Sequence, residues 1–320
     1  MPRPGRSTAK FIAYDLRPAK QSERGLLVDM LRIGGDVGLS LRNYRYVGMG
    51  ANRFYDFLLI HKYLGLRNMV SLEYDEDMYE RARYNAPYSF IDVRNMTVAD
   101  FLASDSSREP EILWLDYDGG IGPDIVADIN AIGSRLKVGD YCFMTVSGGP
   151  PRVMDQLSDA DRLATLQDTM GDVSGNVTLE DVERSNFPDA VHKILSASFK
   201  NAFAMRTDGR FRPLLQVEYS DSMPMVTVGG ALLADGTWHS YRQKMAQALP
   251  FLPAEWSTLY TIRSFYLTEK ERALFDLVAT SSRSRSREKN LLKKMGFKDK
   301  EFAAYAELIR YLPRYVETAV

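Results

Sequence analysis

The chain has 320 residues, 45% of them hydrophobic and 26% charged, with a formal net charge of −1, a balance ordinary for one large globular domain or two smaller ones. Its single cysteine, Cys142, excludes a disulfide within the chain and a multi-cysteine zinc site, and fits a reducing cytoplasm. No apolar run approaches the roughly 20 residues of a membrane span, and the N-terminal MPRPGRSTAK has basic residues without the apolar core of a signal peptide. A soluble, cytoplasmic protein with no membrane contact is expected.

Residues 17–33, RPAKQSERGLLVDMLRI, suit a helix, because Leu26, Leu27, Met30, Leu31 and Ile33 recur at helical spacing. A first strand at 44–48 then runs into YVGMGANRFYD, residues 46–56, where Gly48 and Gly50 precede a helix at about 54–64 that Gly65 stops. Glycines at a strand-to-helix junction let the backbone turn sharply and let a ligand approach without an intervening Cβ. Dinucleotides and S-adenosylmethionine (SAM) are both held by this device. The dinucleotide fingerprint places a third small residue three positions after the second glycine; Arg53 stands there and fits poorly.

Further strands are expected at 69–74, 89–94, 111–116 and 140–147, with helices at 76–85 and along Ile125, Ile129 and Leu136. Residues 151–186, polar and Asp-rich, read as an inserted arm or lid. A helix at about 189–205 leads to two strand-like runs, 213–219 and 224–233, that look like an antiparallel hairpin. From about 245 the chain reads as helical and basic, with a Thr268/Glu271 capping box and a final amphipathic helix or pair over 299–316. This alternation implies an α/β fold, a doubly wound Rossmann-like sheet that is mostly parallel and covered on both faces. Three parts are expected: an N-terminal helical segment (1–40), the Rossmann domain (41–240) and a basic helical module (241–320).

Charge is concentrated in that last part. Residues 281–300, SSRSRSREKNLLKKMGFKDK, hold eight Lys or Arg against two acids. Such a run can engage nucleic-acid phosphates, although it lacks interleaved aromatics for base stacking and equally describes a flexible loop entering a charged helix.

Across roughly residues 40–235 the pattern resembles the class I SAM-dependent methyltransferases. More narrowly, RPAKQSER, YVGMG, FLLIHKYLGLRNMVSLEYD and WLDYDG resemble bacterial proteins loosely labelled O-methyltransferases. The resemblance implies a seven-stranded sheet closed by the hairpin, and SAM as cofactor.

In such a sheet the ligand crevice lies beyond the carboxyl ends of the strands. Gly48 and Gly50 then bind cofactor, and Glu73, ending the second strand, can accept hydrogen bonds from both ribose hydroxyls, with Asp75 the fallback. Asp56 is a candidate for the methionine end. Many methyltransferases follow the third strand with an Asp that contacts the adenine; here Asn95 and Thr97 must substitute. Asp116 ends the fourth strand and would face the methyl donor, either as general base or as a group orienting the nucleophile. Asp118 is its catalytic neighbour, and the pair is also able to hold a divalent cation. No third oxygen ligand is identifiable, His61, His192 and His239 are scattered, and no metal is expected. Amino-directed DNA methyltransferases follow an acidic or amide residue at the position of Asp116 with two prolines and an aromatic that grip a flipped base. This chain has Tyr117 but neither proline, so that chemistry is not indicated, and Tyr117 is a candidate for binding the substrate. Arg17, Lys20 and Arg24 can bind an anionic substrate or the cofactor carboxylate, unless they form a solvated helix face. Ser147, at the end of the fifth strand, can line the substrate pocket.

Two classes of function follow: transfer of a methyl group from SAM to an O- or N-nucleophile, or a non-catalytic SAM-binding sensor or scaffold. The sequence leaves room for a homodimer or a partner protein under either.

Overall fold

Eight strands make one sheet in the computed structural model, which describes residues 17–104, 109–252 and 254–313. Residues 1–16 of the expected N-terminal segment, including the stretch read for a signal peptide, lie outside the described residues, as do 314–316 of the expected last helix. In chain order the elements are α1 (Pro18–Asp36), β1 (Arg45–Gly48), α2 (Tyr55–Leu64), β2 (Asn68–Glu73), α3 (Glu76–Asn85), β3 (Ile91–Asn95) and α4 (Val98–Ser104). They continue as β4 (Glu111–Gly120), α5 (Pro123–Arg135), β5 (Tyr141–Ser147), α6 (Asp159–Met170), α7 (Phe187–Ala202), β6 (Arg210–Ser220) and β7 (Pro224–Leu233). The last are α8 (Asp235–Ala248), β8 (Tyr260–Ile262), α9 (Glu269–Thr280), α10 (Ser286–Lys294) and α11 (Asp299–Leu308).

The strand order is β3-β2-β1-β4-β5-β7-β6-β8. Strands β1 to β5 pair in parallel, and β7 runs antiparallel to both β5 and β6. Alternate residues of each strand enter opposite cores, as the pleat requires. Tyr46 and Trp114 join the core beneath α1, α2 and α8, while Val47 and Leu113 join the one beneath α5 and α7. All seven residues of β5 are buried, which is why 141–147 reads as an unbroken apolar run. Gly65 ends α2 at φ +72°, its N–H donating to the His61 carbonyl.

Helix α1 is tied to distant parts of the chain. Asp221, in the β6–β7 turn, accepts the Ala19 and Lys20 N–H groups at 2.9 and 3.0 Å, satisfying donors that a helix start leaves unpaired. The Tyr241 hydroxyl of α8 donates to the Met30 carbonyl, and Tyr311 donates to Asp29 at 2.6 Å.

The expected seven strands become eight. β8 pairs in parallel with Val217–Tyr219 of β6, so the expected helical module also contributes a sheet edge; a three-residue strand is too short to show alternation. Helix α4 was not expected, and α8 begins ten residues before the predicted helical region. Residues 151–186, expected as an arm or lid, carry Met154, Leu166, Val173, Val177 and Val182 into the core under α7. The Thr268/Glu271 capping box is formed at α9, and α9, α10 and α11 gather around Phe275, Leu292, Phe302 and Tyr305.

Candidate active site

The order of strands reverses between the parallel neighbours β1 and β4, with β2 and β3 laid to one side and β5 to the other. Ligands of open α/β sheets bind at such a switch point, outside the carboxyl ends of the strands. A cavity of about 1390 Å³ lies there, walled by the segments that leave β1, β2, β3 and β4.

The β1 exit is built by close approach. Gly50 donates its N–H to Ser71 Oγ at 3.0 Å. A Cβ on Gly50 would meet the Phe54 ring at 2.5 Å and Ser71 Oγ at 2.8 Å, and one on Gly48 would meet the Tyr46 hydroxyl at 2.8 Å. Both glycines are therefore demanded by the protein's own packing; Gly50 lines the cavity and Gly48 lies behind it. The loop turns at Ala51 (φ +45°) and Phe54 (φ +53°), left-handed conformations uncommon for residues with a Cβ. Phe54 is held there by burial and an edge-on contact with Phe57.

Glu73 is half-buried at the end of β2 and lines the cavity. Burial raises its pKa, opposed by the Asp75 N–H at 3.2 Å. Asp75 itself lies outside the cavity, where its carboxylate accepts the Met78 N–H at 2.9 Å as the N-cap of α3. After β3, Thr97 lines the wall while its hydroxyl bonds Asp100 at 2.7 Å; Asn95 is exposed beyond it.

Strand β4 supplies the floor. Its pairing with β5 becomes irregular between Asp116 and Gly120, and all five residues of Asp116–Gly120 line the cavity. Tyr117 donates to Asp128 Oδ2 at 2.6 Å, and burial, with Asp128 beside it, drives its pKa far upward. Asp118 is exposed at the rim.

Asp116 meets α1. Its Oδ2 lies 2.8 Å from Lys20 Nζ, which also lies 2.8 Å from Glu23 Oε2 and donates to the Tyr219 hydroxyl at 3.1 Å. The ammonium stands 5.1 Å from the centre of the Trp114 ring, within cation–π reach. Glu23 is fully buried and accepts from Thr227 and, at 3.3 Å, Thr145. Beside them Arg24 Nε bonds Asp56 Oδ1 at 2.5 Å. Burial pushes the Asp116 carboxyl up to about 6, with Glu23 and Asp56 adding to the rise and Lys20 opposing it. Burial alone would depress Lys20, but Asp116 and Glu23 outweigh it and leave its pKa well above the ordinary range.

Of the residues picked from sequence, the cavity therefore brings together Arg24, Gly50, Asp56, Glu73, Thr97, Asp116, Tyr117 and Asp118. Lys20 is not on a solvated helix face; it is 3% exposed, behind Asp116. Arg17 is at the start of α1, near Ser222, and Ser147 is buried with its hydroxyl accepting the Gly149 N–H; both lie outside the cavity. Sequence reasoning missed Glu23, Trp114, Thr145, Tyr219 and Thr227. A signal existed for the first: Lys20, Glu23 and Arg24 share a helical face with Leu27, so α1 carries its charges on the side that bears its apolar stripe. Among the described residues no group of three or more His, Cys, Asp or Glu is arranged to hold a metal ion.

Solved structures with a related arrangement include the N-methyltransferase NodS from Bradyrhizobium japonicum WM9, 10% identical, with 68% of this chain and 99% of that chain covered at a TM-score of 0.39. NodS has also been solved in complex with S-adenosyl-L-homocysteine. The S-adenosylmethionine-dependent methyltransferase SibL is 11% identical, with 67% and 56% covered and a TM-score of 0.36. No curated protein matches the chain. The model of the family described as "Putative O-methyltransferase" matches residues 12–320. With almost the whole length matched, the chain belongs to that family and is a SAM-dependent methyltransferase.

Proposed function

We propose that the cavity binds SAM with its ribose on Glu73 and its methyl group toward Asp116, and that Asp116 receives the proton an O- or N-nucleophile gives up. The observation that carries this reading is a register match. Gly48 aligns with Ser71 on one side and Trp114 on the other, so Glu73 and Asp116, each two residues further on, stand at the same level of the sheet. Strand β1 lies between their strands, which separates their backbones by about 10 Å. One carboxylate is thus set for a sugar diol and the other for the reacting end of an extended ligand crossing the β1 exit.

The residues present fit the cofactor. The cavity exceeds the roughly 300–1,000 Å³ of a typical small-molecule site, leaving room for an acceptor, and a half-buried carboxylate ends β2. Bound SAM supplies a methyl group already activated by its sulfonium, so the protein's part is placement and charge. As the acceptor took up that methyl group, its proton would pass to the Asp116 carboxylate. Arg24, locked to Asp56 in the cavity wall, keeps that wall rigid. The family description favours a hydroxyl as acceptor.

Isothermal calorimetry with SAM and its demethylated product tests the placement. Glu73→Ala removes charge-assisted hydrogen bonds worth about 1.5–3 kcal/mol, so affinity should fall by roughly 10–150-fold. Unchanged affinity in a folded variant would remove Glu73 from the cofactor site.

A further inference from the structure

We propose that Lys20 is a positioning residue for the reaction and not a ligand of substrate: clamped by Glu23, Tyr219 and the Trp114 ring, it holds one oxygen of the Asp116 carboxylate and leaves the other toward the cavity. The inference rests on the proposed role of Asp116 and adds to it the means by which that carboxylate is kept in place.

Three observations carry it. Lys20 is 3% exposed and lies outside the cavity, so an acceptor cannot reach its ammonium. Its surroundings account for its charge: Asp116 and Glu23 at 2.8 Å, the Tyr219 hydroxyl at 3.1 Å, and two aromatic faces with centres 5.1 and 5.5 Å away. Its own backbone is fixed, because Asp221 accepts the N–H of Lys20 and of Ala19. An ammonium so enclosed has little freedom of its own, and what it touches is fixed with it.

The charged and titratable groups around Asp116 come from four elements: Lys20, Glu23 and Arg24 of α1, Asp56 of α2, Tyr46 of β1 and Tyr219 of β6. Glu23 and Asp56 disfavour a charge on Asp116, and Lys20 is its nearest cation. Without Lys20 the carboxylate would face two buried acids without its nearest cation, and its pKa would rise. Lys20 therefore favours the proton-accepting form of a group whose burial, with Glu23 and Asp56 nearby, works against that form.

The titration of Asp116 can be followed directly, with no acceptor needed. Carbon-13 NMR of aspartate-labelled protein, with Asp116→Asn to assign the signal, should give a midpoint near pH 6 in the parent. In Lys20→Met the midpoint should rise by about one unit or more, loss of an adjacent opposite charge being worth about 1–3 units. Lys20→Arg should restore most of the difference. Because Lys20→Met leaves Glu23 buried without its cation and can fail to fold, Lys20→Met/Glu23→Gln serves as the second variant; its midpoint should also stay above that of Glu23→Gln alone. SAM affinity by calorimetry should remain within about threefold of the parent, since Lys20 does not reach the cavity. A midpoint unmoved or lowered in the variants overturns the inference, whatever the cofactor result. A parent that binds no SAM overturns the placement of the cofactor, whatever the titration shows.

Discussion

A carboxyl that titrates near pH 6 changes state within one unit of neutrality, and Asp116 is such a group at the floor of the cavity. Its basic form is the ionised one. If it accepts the acceptor's proton, methyl transfer at limiting substrate should rise with pH to a half-maximum at about 6 and level above it. Asp116→Asn should bind SAM within a few-fold of the parent, lose that limb, and transfer methyl groups about 10²-fold or more slowly to whichever acceptor pool the parent uses. Parental turnover in this variant would take Asp116 out of the reaction. Gly50 makes a different prediction from the one its motif suggests. Its missing Cβ is needed by Phe54 and Ser71, so Gly50→Ala should first cost stability, by the 1–3 kcal/mol typical of an overpacked site, measured as a lower urea midpoint with unchanged slope. A stable variant that fails to bind SAM would return the glycine to the ligand. Glu73 and Asp116 were legible as residues because a polar side chain ending an apolar run stands out. Their neighbours were not. Lys20 and Asp116 are 96 positions apart, and no local pattern reports that a helix at one end of the chain packs over the fourth strand.

Among elements, the long ones could be read and the short ones could not. Strand β5 and helix α7 have enough residues to show a continuous run or a helical stripe, whereas β8, with three residues, acquires its identity only by pairing with β6. Strand β4 was read as ending at Asp116, but continues to Gly120; its last residues leave the buried alternation because they form the cavity floor. The basic run is an element with a prediction of its own. In α10 and its flanks Arg283, Arg287, Lys289 and Lys294 are exposed, while Lys293 pairs with Asp299 at 2.8 Å and only Leu292 is buried. Reversing the charge of Arg283, Arg287 and Lys289 should leave the fold intact, exposed charges being worth little to it. If the run is a phosphate-binding surface, parent affinity for duplex RNA or DNA should fall steeply with salt, and the variant should show a shallower slope. Binding that ignores salt, or no binding at all, would rule this use out.

At the scale of the whole molecule the site's chemistry enters global stability. The folded protein holds a proton on Asp116 that the unfolded chain, with an ordinary carboxyl near 3.8, releases. That stabilisation is complete below about pH 4 and is lost as pH rises through about 6, because over that interval the folded state binds more protons than the unfolded one. Asp116→Asn has no such proton to lose. Its unfolding free energy relative to the parent should therefore improve by about 1–3 kcal/mol between pH 4 and 6.5, readable from paired urea titrations. A difference that does not vary with pH would show that Asp116 titrates as an ordinary surface acid.

The contacts that fasten α1 also set when the site can exist. Asp221, Tyr219 and Thr227, which hold Lys20 and Glu23, are made some 200 residues after α1 leaves the ribosome, about 10–40 s later at ordinary rates of synthesis. Until then Asp56 and Asp116 are available to pair with Arg24 and Lys20, but the Tyr219 hydroxyl on Lys20, the Thr227 hydroxyl on Glu23 and the Asp221 anchor of the helix start are missing. A nascent chain stopped before β6 can pair β1 through β5 yet has no closed site. Loop closure over that span is slow to reward, so the last hairpin is the step at which a folded sheet becomes a protein able to hold Asp116 in place.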